Sequence, residues 1–130
     1  MSGRMLLVDD DETIREIATL SLERVGGWNV EAAASGEAAL AAADEEERFD
    51  AVLLDVMMPG LDGPATLMLL RERELIDAGV PVVFLTAKVQ AGERERLLAS
   101  GATGVIAKPF DPMSLPSELE EILGRHTNGD

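Results

Sequence analysis

Cysteine is absent from the 130 residues, which excludes a disulfide framework and any thiolate metal centre. The missing thiols suit a reducing compartment, and the cytoplasm is the expected location. No apolar run approaches the roughly 18 residues of a membrane helix. Met1-Ser2-Gly3-Arg4 leads into only a short apolar run, too short for a secretory signal. Cations are scarce: 11 Lys and Arg against 25 Asp and Glu leave a formal charge of −14. A nucleic-acid surface normally carries a basic patch, so direct DNA or RNA binding is not expected. The single histidine, His126, lies in a polar tail and is read as inert. The six methionines are read as packing or surface contacts, not as metal ligands.

What is present is one core. Hydrophobic residues make up 46% of the chain, enough for a single unstapled domain over residues 1–130. The core is expected at about residues 4–124, with a frayed polar tail over 125–130. Met5-Leu6-Leu7-Val8 reads as a buried strand, too short for a helix. Ile14, Ile17, Ala18, Ser21, Leu22 and Val25 then recur at helical spacing until Gly26-Gly27. Trp28 to Ala33 reads as an edge strand, and Ser35 as the N-cap of a helix over Gly36 to Ala43. The acidic run Asp44 to Glu47 reads as a solvated helix end. Ala51-Val52-Leu53-Leu54 is a second buried strand. Pro64 suits the first turn of a third helix. Val82 to Leu85 is a further strand, followed by a helix over Ala91 to Ser100 that Gly101 stops. Val105-Ile106-Ala107 is a last strand, and Leu115, Leu119, Ile122 and Leu123 mark a last helix, with Pro116 near its start. Five strands alternating with five helices predict a parallel sheet covered on both faces.

Ligands of open α/β sheets bind beyond the carboxyl ends of the strands. Those ends carry a coherent set: Asp9 and Asp10 after the first strand, Asp55 after the third, Thr86 after the fourth, Lys108 after the fifth. Each alone is ordinary. An acidic residue at a strand end is usually a helix cap, and Asp11 is read as the cap of the first helix. Joint placement is what points to chemistry. Three carboxylates brought together need a cation or a proton, and an oxygen-only set suits a hard cation such as Mg²⁺. A carboxylate can also act as a nucleophile and form an aspartyl phosphate, with Lys108 and Thr86 available to the phosphoryl oxygens.

Four segments make a resemblance: Leu7-Val8-Asp9-Asp10, Leu53 to Gly63, Leu85-Thr86-Ala87 and Lys108-Pro109-Phe110. In order and spacing the chain resembles the response regulator receiver family over about residues 4–124. The resemblance implies a doubly wound (βα)5 flavodoxin-like fold, with a five-stranded parallel sheet in the order 2-1-3-4-5. It implies that Asp55 is the phosphoacceptor and that Asp9, Asp10, Asp55 and the backbone carbonyl of Met57 hold Mg²⁺, Asp10 being the more direct carboxylate of the first pair. It implies that Thr86 senses the phosphoryl group, that Lys108 binds one of its oxygens, and that Lys108-Pro109 is a cis peptide. A sensor histidine kinase or a histidine phosphotransfer protein would be the donor, and a downstream protein the target. Such a domain catalyses only its own phosphorylation and dephosphorylation. Family members often place Tyr or Phe three residues before the lysine as a switch; here Val105 stands there. Met57 and Lys88, two residues beyond Asp55 and Thr86, occupy positions that tune phosphoryl lifetime in the family. With about six residues after the last helix, a stand-alone receiver is expected.

Two other classes compete. A phosphatase of the haloacid dehalogenase type also uses a strand-end Asp and Mg²⁺, but needs an acid two residues on, where Met57 cannot transfer a proton. A docking-only module would share the fold without the acceptor set. A flavodoxin-type nucleotide domain would place a phosphate loop after the first strand, where this chain has acids instead.

Overall fold

The structure, a computed structural model, describes residues 3–45, 48–87 and 90–128, with side chains described as far as Gly124. The chain alternates β1 (Arg4–Val8), α1 (Glu12–Leu20), β2 (Asn29–Ala33), α2 (Gly36–Ala43), β3 (Ala51–Asp55), α3 (Gly63–Glu72), β4 (Val82–Thr86), α4 (Ala91–Ala99), β5 (Gly104–Ala107) and α5 (Leu115–Asn128). The sheet order is β2-β1-β3-β4-β5, and every pairing is parallel. The strands therefore end on one edge. The doubly wound architecture and the strand order are as expected.

Each apolar run serves both faces, because successive side chains in a strand point to opposite sides. Met5, Leu7, Ala51, Leu53, Val83, Leu85 and Ile106 join Ala18 and Leu22 of α1 and Leu115, Leu119 and Ile122 of α5 in one core. Leu6, Val8, Val52, Leu54, Val82, Phe84 and Val105 join the core against α2, α3 and α4. This is why the strands read as continuous apolar runs rather than alternating ones.

Asp11 caps α1, accepting from the Thr13 and Ile14 amides; Ser35 caps α2; Asp62 caps α3, with Pro64 in its first turn. Two details differ from the sequence reading. First, α1 does not stop as an α-helix but continues through a π-helical turn, Ser21–Val25. Buried Ser21 donates its hydroxyl to the Pro112 carbonyl, tying this turn to the loop before α5. Second, Trp28 is outside β2. Its amide donates back to the Leu22 carbonyl at 2.9 Å, so it closes the helix rather than joining the ladder, and its ring is buried in the α1/α5 core. Gly27 adopts φ 77° at that turn. Beyond α3, Arg71 donates to the carbonyls of Asp77, Ala78 and Val80, holding the loop that leads into β4. Helical backbone is described to Asn128. The remainder of the expected tail, and Glu46 and Glu47 of the acidic run, lie outside the described residues.

Gly63, the first residue of α3, packs directly on the strand that carries Asp55. A Cβ there would stand 2.5 Å from the Asp55 carbonyl oxygen and 2.9 Å from the Phe84 ring and Val56 Cα. Backbone cannot yield as a side chain can, and overpacking costs about 1–3 kcal/mol. Gly92, in α4, has nothing within 4 Å of the same position. Gly63→Ala is predicted to lower unfolding stability by about 1–3 kcal/mol, and Gly92→Ala to raise it by about 0.5–1 kcal/mol. Urea titration of both variants checks this; equal effects would contradict the packing described.

Candidate functional site

The expected residues meet at the carboxyl edge of the sheet. The ladder runs one residue past the ends of β1 and β5: the Asp9 amide donates to the Ala33 carbonyl at 3.2 Å, and the Lys108 amide to the Thr86 carbonyl at 2.9 Å. Strand alternation thus continues into the site. Asp9 follows the parity of Met5 and Leu7, Asp55 that of Ala51 and Leu53, and Lys108 that of Ile106, all toward α1 and α5. Thr86 has the parity of Val82 and Phe84, toward the α3/α4 face.

This common parity explains the central contact. Lys108 Nζ lies 2.9 Å from Asp9 Oδ2 and 3.1 Å from Asp55 Oδ1. Asp9 is fully buried, Asp55 is 4% exposed, and Asp10 stands exposed beside them. Carboxylate oxygens of Asp9, Asp10 and Asp55 lie within 4.8 Å of one another. Burial, and next the charge of Asp9, push the Asp55 carboxyl up from 3.8 to about 6, against the pull of Lys108. For Lys108, burial alone would lower the ammonium, but the two carboxylates outweigh it and the net shift is upward.

The donor set fits a hard cation. All three side-chain ligands are oxygen. Asp9 Oδ2 is buried and receives no well-angled hydrogen bond, only the charge contact with Lys108. That leaves a carboxylate oxygen with coordinating capacity, while Asp9 Oδ1 accepts from the Asp11 amide at 2.9 Å.

The loop after β3 is shaped at both ends. The Gly63 amide donates to the Val56 carbonyl at 2.8 Å, and Gly60 adopts φ 75°. Met57 on this loop is 72% exposed. Lys108-Pro109 is cis. Thr86 is buried at the end of β4. Val105 is buried with Leu97 of α4 in the same core. Lys88 lies outside the described residues.

One participant escaped the sequence reading. Arg15 Nη1 donates to the Asp9 carbonyl at 2.8 Å. Arg15 lies next to Ile14 and three residues before buried Ala18 of α1, where a cation reads as a solvated side chain; only its six-residue distance from a strand-end Asp could have drawn notice.

Comparison with known proteins places the chain in a family and supports its fold. Residues 5–120 match the response regulator receiver domain family, and the chain belongs to it. The alkaline phosphatase synthesis transcriptional regulatory protein PhoP of Bacillus subtilis is 38% identical over 125 residues, 96% of this chain and 50% of that protein. The DNA-binding response regulator MtrA of Mycobacterium tuberculosis is 40% identical over 126 residues, 97% of this chain and 53% of that protein. The chain thus spans about half the length of these curated relatives. Among solved structures, the chemotaxis response regulator CheY4 of Vibrio cholerae superposes with TM-score 0.85 at 33% identity, covering 94% of this chain and 99% of that one. A response regulator from Chloroflexus aurantiacus gives 0.82 at 35% identity, covering 96% and 100%. Among the described residues no helix is long and apolar enough to cross a membrane.

The raised Asp55 carboxyl makes stability depend on pH in the metal-free protein. Below about pH 4 the carboxyl is protonated in both folded and unfolded chains. From there to about pH 6 the unfolded chain releases its proton first, so stability falls as pH rises, then levels off. The full cost is on the order of 2–3 kcal/mol, at about 1.4 kcal/mol per pH unit. Asp55→Asn, which mimics the protonated form, should therefore be more stable than wild type at pH 8 in chelator, and no more stable at pH 4. Urea unfolding at both pH values measures this, and a pH-independent difference would contradict it.

Proposed function

We propose that the domain is a phosphorylation switch in which Asp55 accepts a phosphoryl group from a phosphohistidine of a sensor histidine kinase or a histidine phosphotransfer protein. The observation that carries this reading is the Lys108 ammonium shared by Asp9 and Asp55 within a cluster of three carboxylates. An Asp55 oxygen attacks phosphorus, the P–N bond breaks, and its electron pair leaves with the imidazole, which takes up a proton. With its carboxyl near 6, Asp55 is mostly ionised at neutral pH and competent to attack. Lys108, already beside Asp55, is positioned to pair with the new phosphoryl oxygens. Mg²⁺, held by Asp9, Asp10, Asp55 and the Met57 carbonyl, would neutralise charge on the transferring group.

Thr86 would report the modification. By strand parity Thr86 belongs to the α3/α4 side, and phosphoryl contact would bias the surface near β4 and β5 by differential interaction with two states. The neighbouring α4 suits that part: it buries only Leu97 and has no side-chain N-cap, the profile of a weakly anchored element. Val105 is buried and aliphatic, so the output would run without an aromatic swing at that position. The target is a protein: a charge of −14 argues against nucleic-acid contact by this domain. The cysteine-free sequence accords with work in the cytoplasm.

Two predictions follow from these roles. Incubation with acetyl phosphate and Mg²⁺ should add one phosphoryl mass to the intact protein and none to Asp55→Asn or to protein in chelator; an adduct on Asp55→Asn would refute the assignment. Thr86→Ala should still gain that mass, but amide shifts over residues 90–100 should respond less than in wild type. Equal shifts in both proteins would remove the role given to Thr86.

A further inference from the structure

We infer that Arg15 is a positioning residue for the metal half of this site: it fixes the Asp9–Asp10 peptide and thereby aims the Asp10 carboxylate. The inference rests on the Mg²⁺ reading above.

Two neighbouring residues can offer carboxylates to one ion only if the peptide between them is held in one orientation. Along β1 the ladder does this. Its last residue is Val8, and the Asp9 amide still finds the Ala33 carbonyl. The Asp9 carbonyl lies past the ladder, and a carbonyl in this half-buried position needs a partner. Arg15, in the second turn of α1, supplies it at 2.8 Å. The other restraints on the turn are the Asp11 amide on Asp9 Oδ1 at 2.9 Å and the Asp11 side chain on the Thr13 and Ile14 amides. Together they bind the strand end, the acidic pair and the start of α1 into one unit. Buried Asp9 is also held by its contact with Lys108. Asp10 is exposed and its side chain meets that of Asp55, while the backbone that carries it is the peptide that Arg15 grips.

Positioning and charge make opposite predictions. A cation beside a cation site repels the ion, so loss of charge alone would tighten Mg²⁺ binding. Loss of a group that orients a ligand weakens metal binding, typically about 10–100-fold.

The test is titration of the full chain with Mg²⁺ alone, by calorimetry or amide shifts, in wild type, Arg15→Met, Arg15→Lys and Asp10→Asn, and in the Arg15→Met/Asp10→Asn double variant. Arg15→Met should raise the Kd about 10–100-fold, and Arg15→Lys, which keeps the charge, should fall between it and wild type. In the Asp10→Asn background Arg15→Met should add less than about 2-fold, because residues acting through one another are not additive. An unchanged or lower Kd in Arg15→Met overturns the inference even if its metal-free melting temperature falls, since that pattern is a structural role alone. The same fold-loss in both backgrounds overturns it too. Should Arg15→Met not fold, Arg15→Lys carries the test, and a wild-type Kd there overturns the proposal. Absence of Mg²⁺ binding in wild type is a different result: it removes the metal reading itself.

Discussion

Bringing Asp9, Asp10 and Asp55 within 4.8 Å on the edge of a closely packed sheet creates a repulsion that something must offset. In the structure the offset is the Lys108 ammonium, in contact with the two most buried members. One cation against three carboxylates is incomplete compensation. Burial first, and then the uncompensated charge of Asp9, raise the Asp55 carboxyl to about 6, and one Asp9 oxygen lacks a well-angled hydrogen bond. The folded protein thus carries a site short of positive charge. On the proposed function, a divalent cation would relieve that shortage and a phosphoryl group on Asp55 would redistribute it.

The rest of the architecture serves this contact. Parallel strands deliver every candidate site residue to the same edge, and alternation along each strand assigns it to a side. Because Asp9, Asp55 and Lys108 share parity, a lysine from the edge strand β5 reaches carboxylates ending the central strand β3 and the residue after β1. Thr86, on the opposite parity, connects the same edge to the face covered by α4, which buries only Leu97. By contrast Gly63 seats α3 against the Asp55 backbone with no room for a Cβ, and Ser21 ties α1 to the Pro112 loop. Asp55 is held on a closely packed side of the molecule, and the element beside Thr86 is the lightly held one.

Much of this was legible in the residues. Apolar runs too short for helices became the strands, and Asp11, Ser35 and Pro64 marked helix starts correctly because their physics is local. The grouping of Asp9, Asp10, Asp55, Thr86 and Lys108 followed from a general property of parallel sheets, whereas the strand order came from family resemblance; periodicity does not encode lateral arrangement. What stayed hidden depends on tertiary contacts. The π-helical turn at Ser21–Val25 answers to a partner 91 residues away. Trp28 looked like a strand residue until its amide was seen to close α1. Arg15 resembled any solvent-facing cation, since the carbonyl it serves exists as a need only where β1 runs out.

The most direct test of the account is a crystal structure of the protein with Mg²⁺ and beryllofluoride, a mimic of the aspartyl phosphate. The account predicts the fluoride group on Asp55, the ion among Asp9, Asp10, Asp55 and the Met57 carbonyl, and Lys108 Nζ turned from the carboxylates to a fluorine. Beryllofluoride bound elsewhere, or Lys108 still bridging Asp9 and Asp55 beneath a bound group, would contradict it.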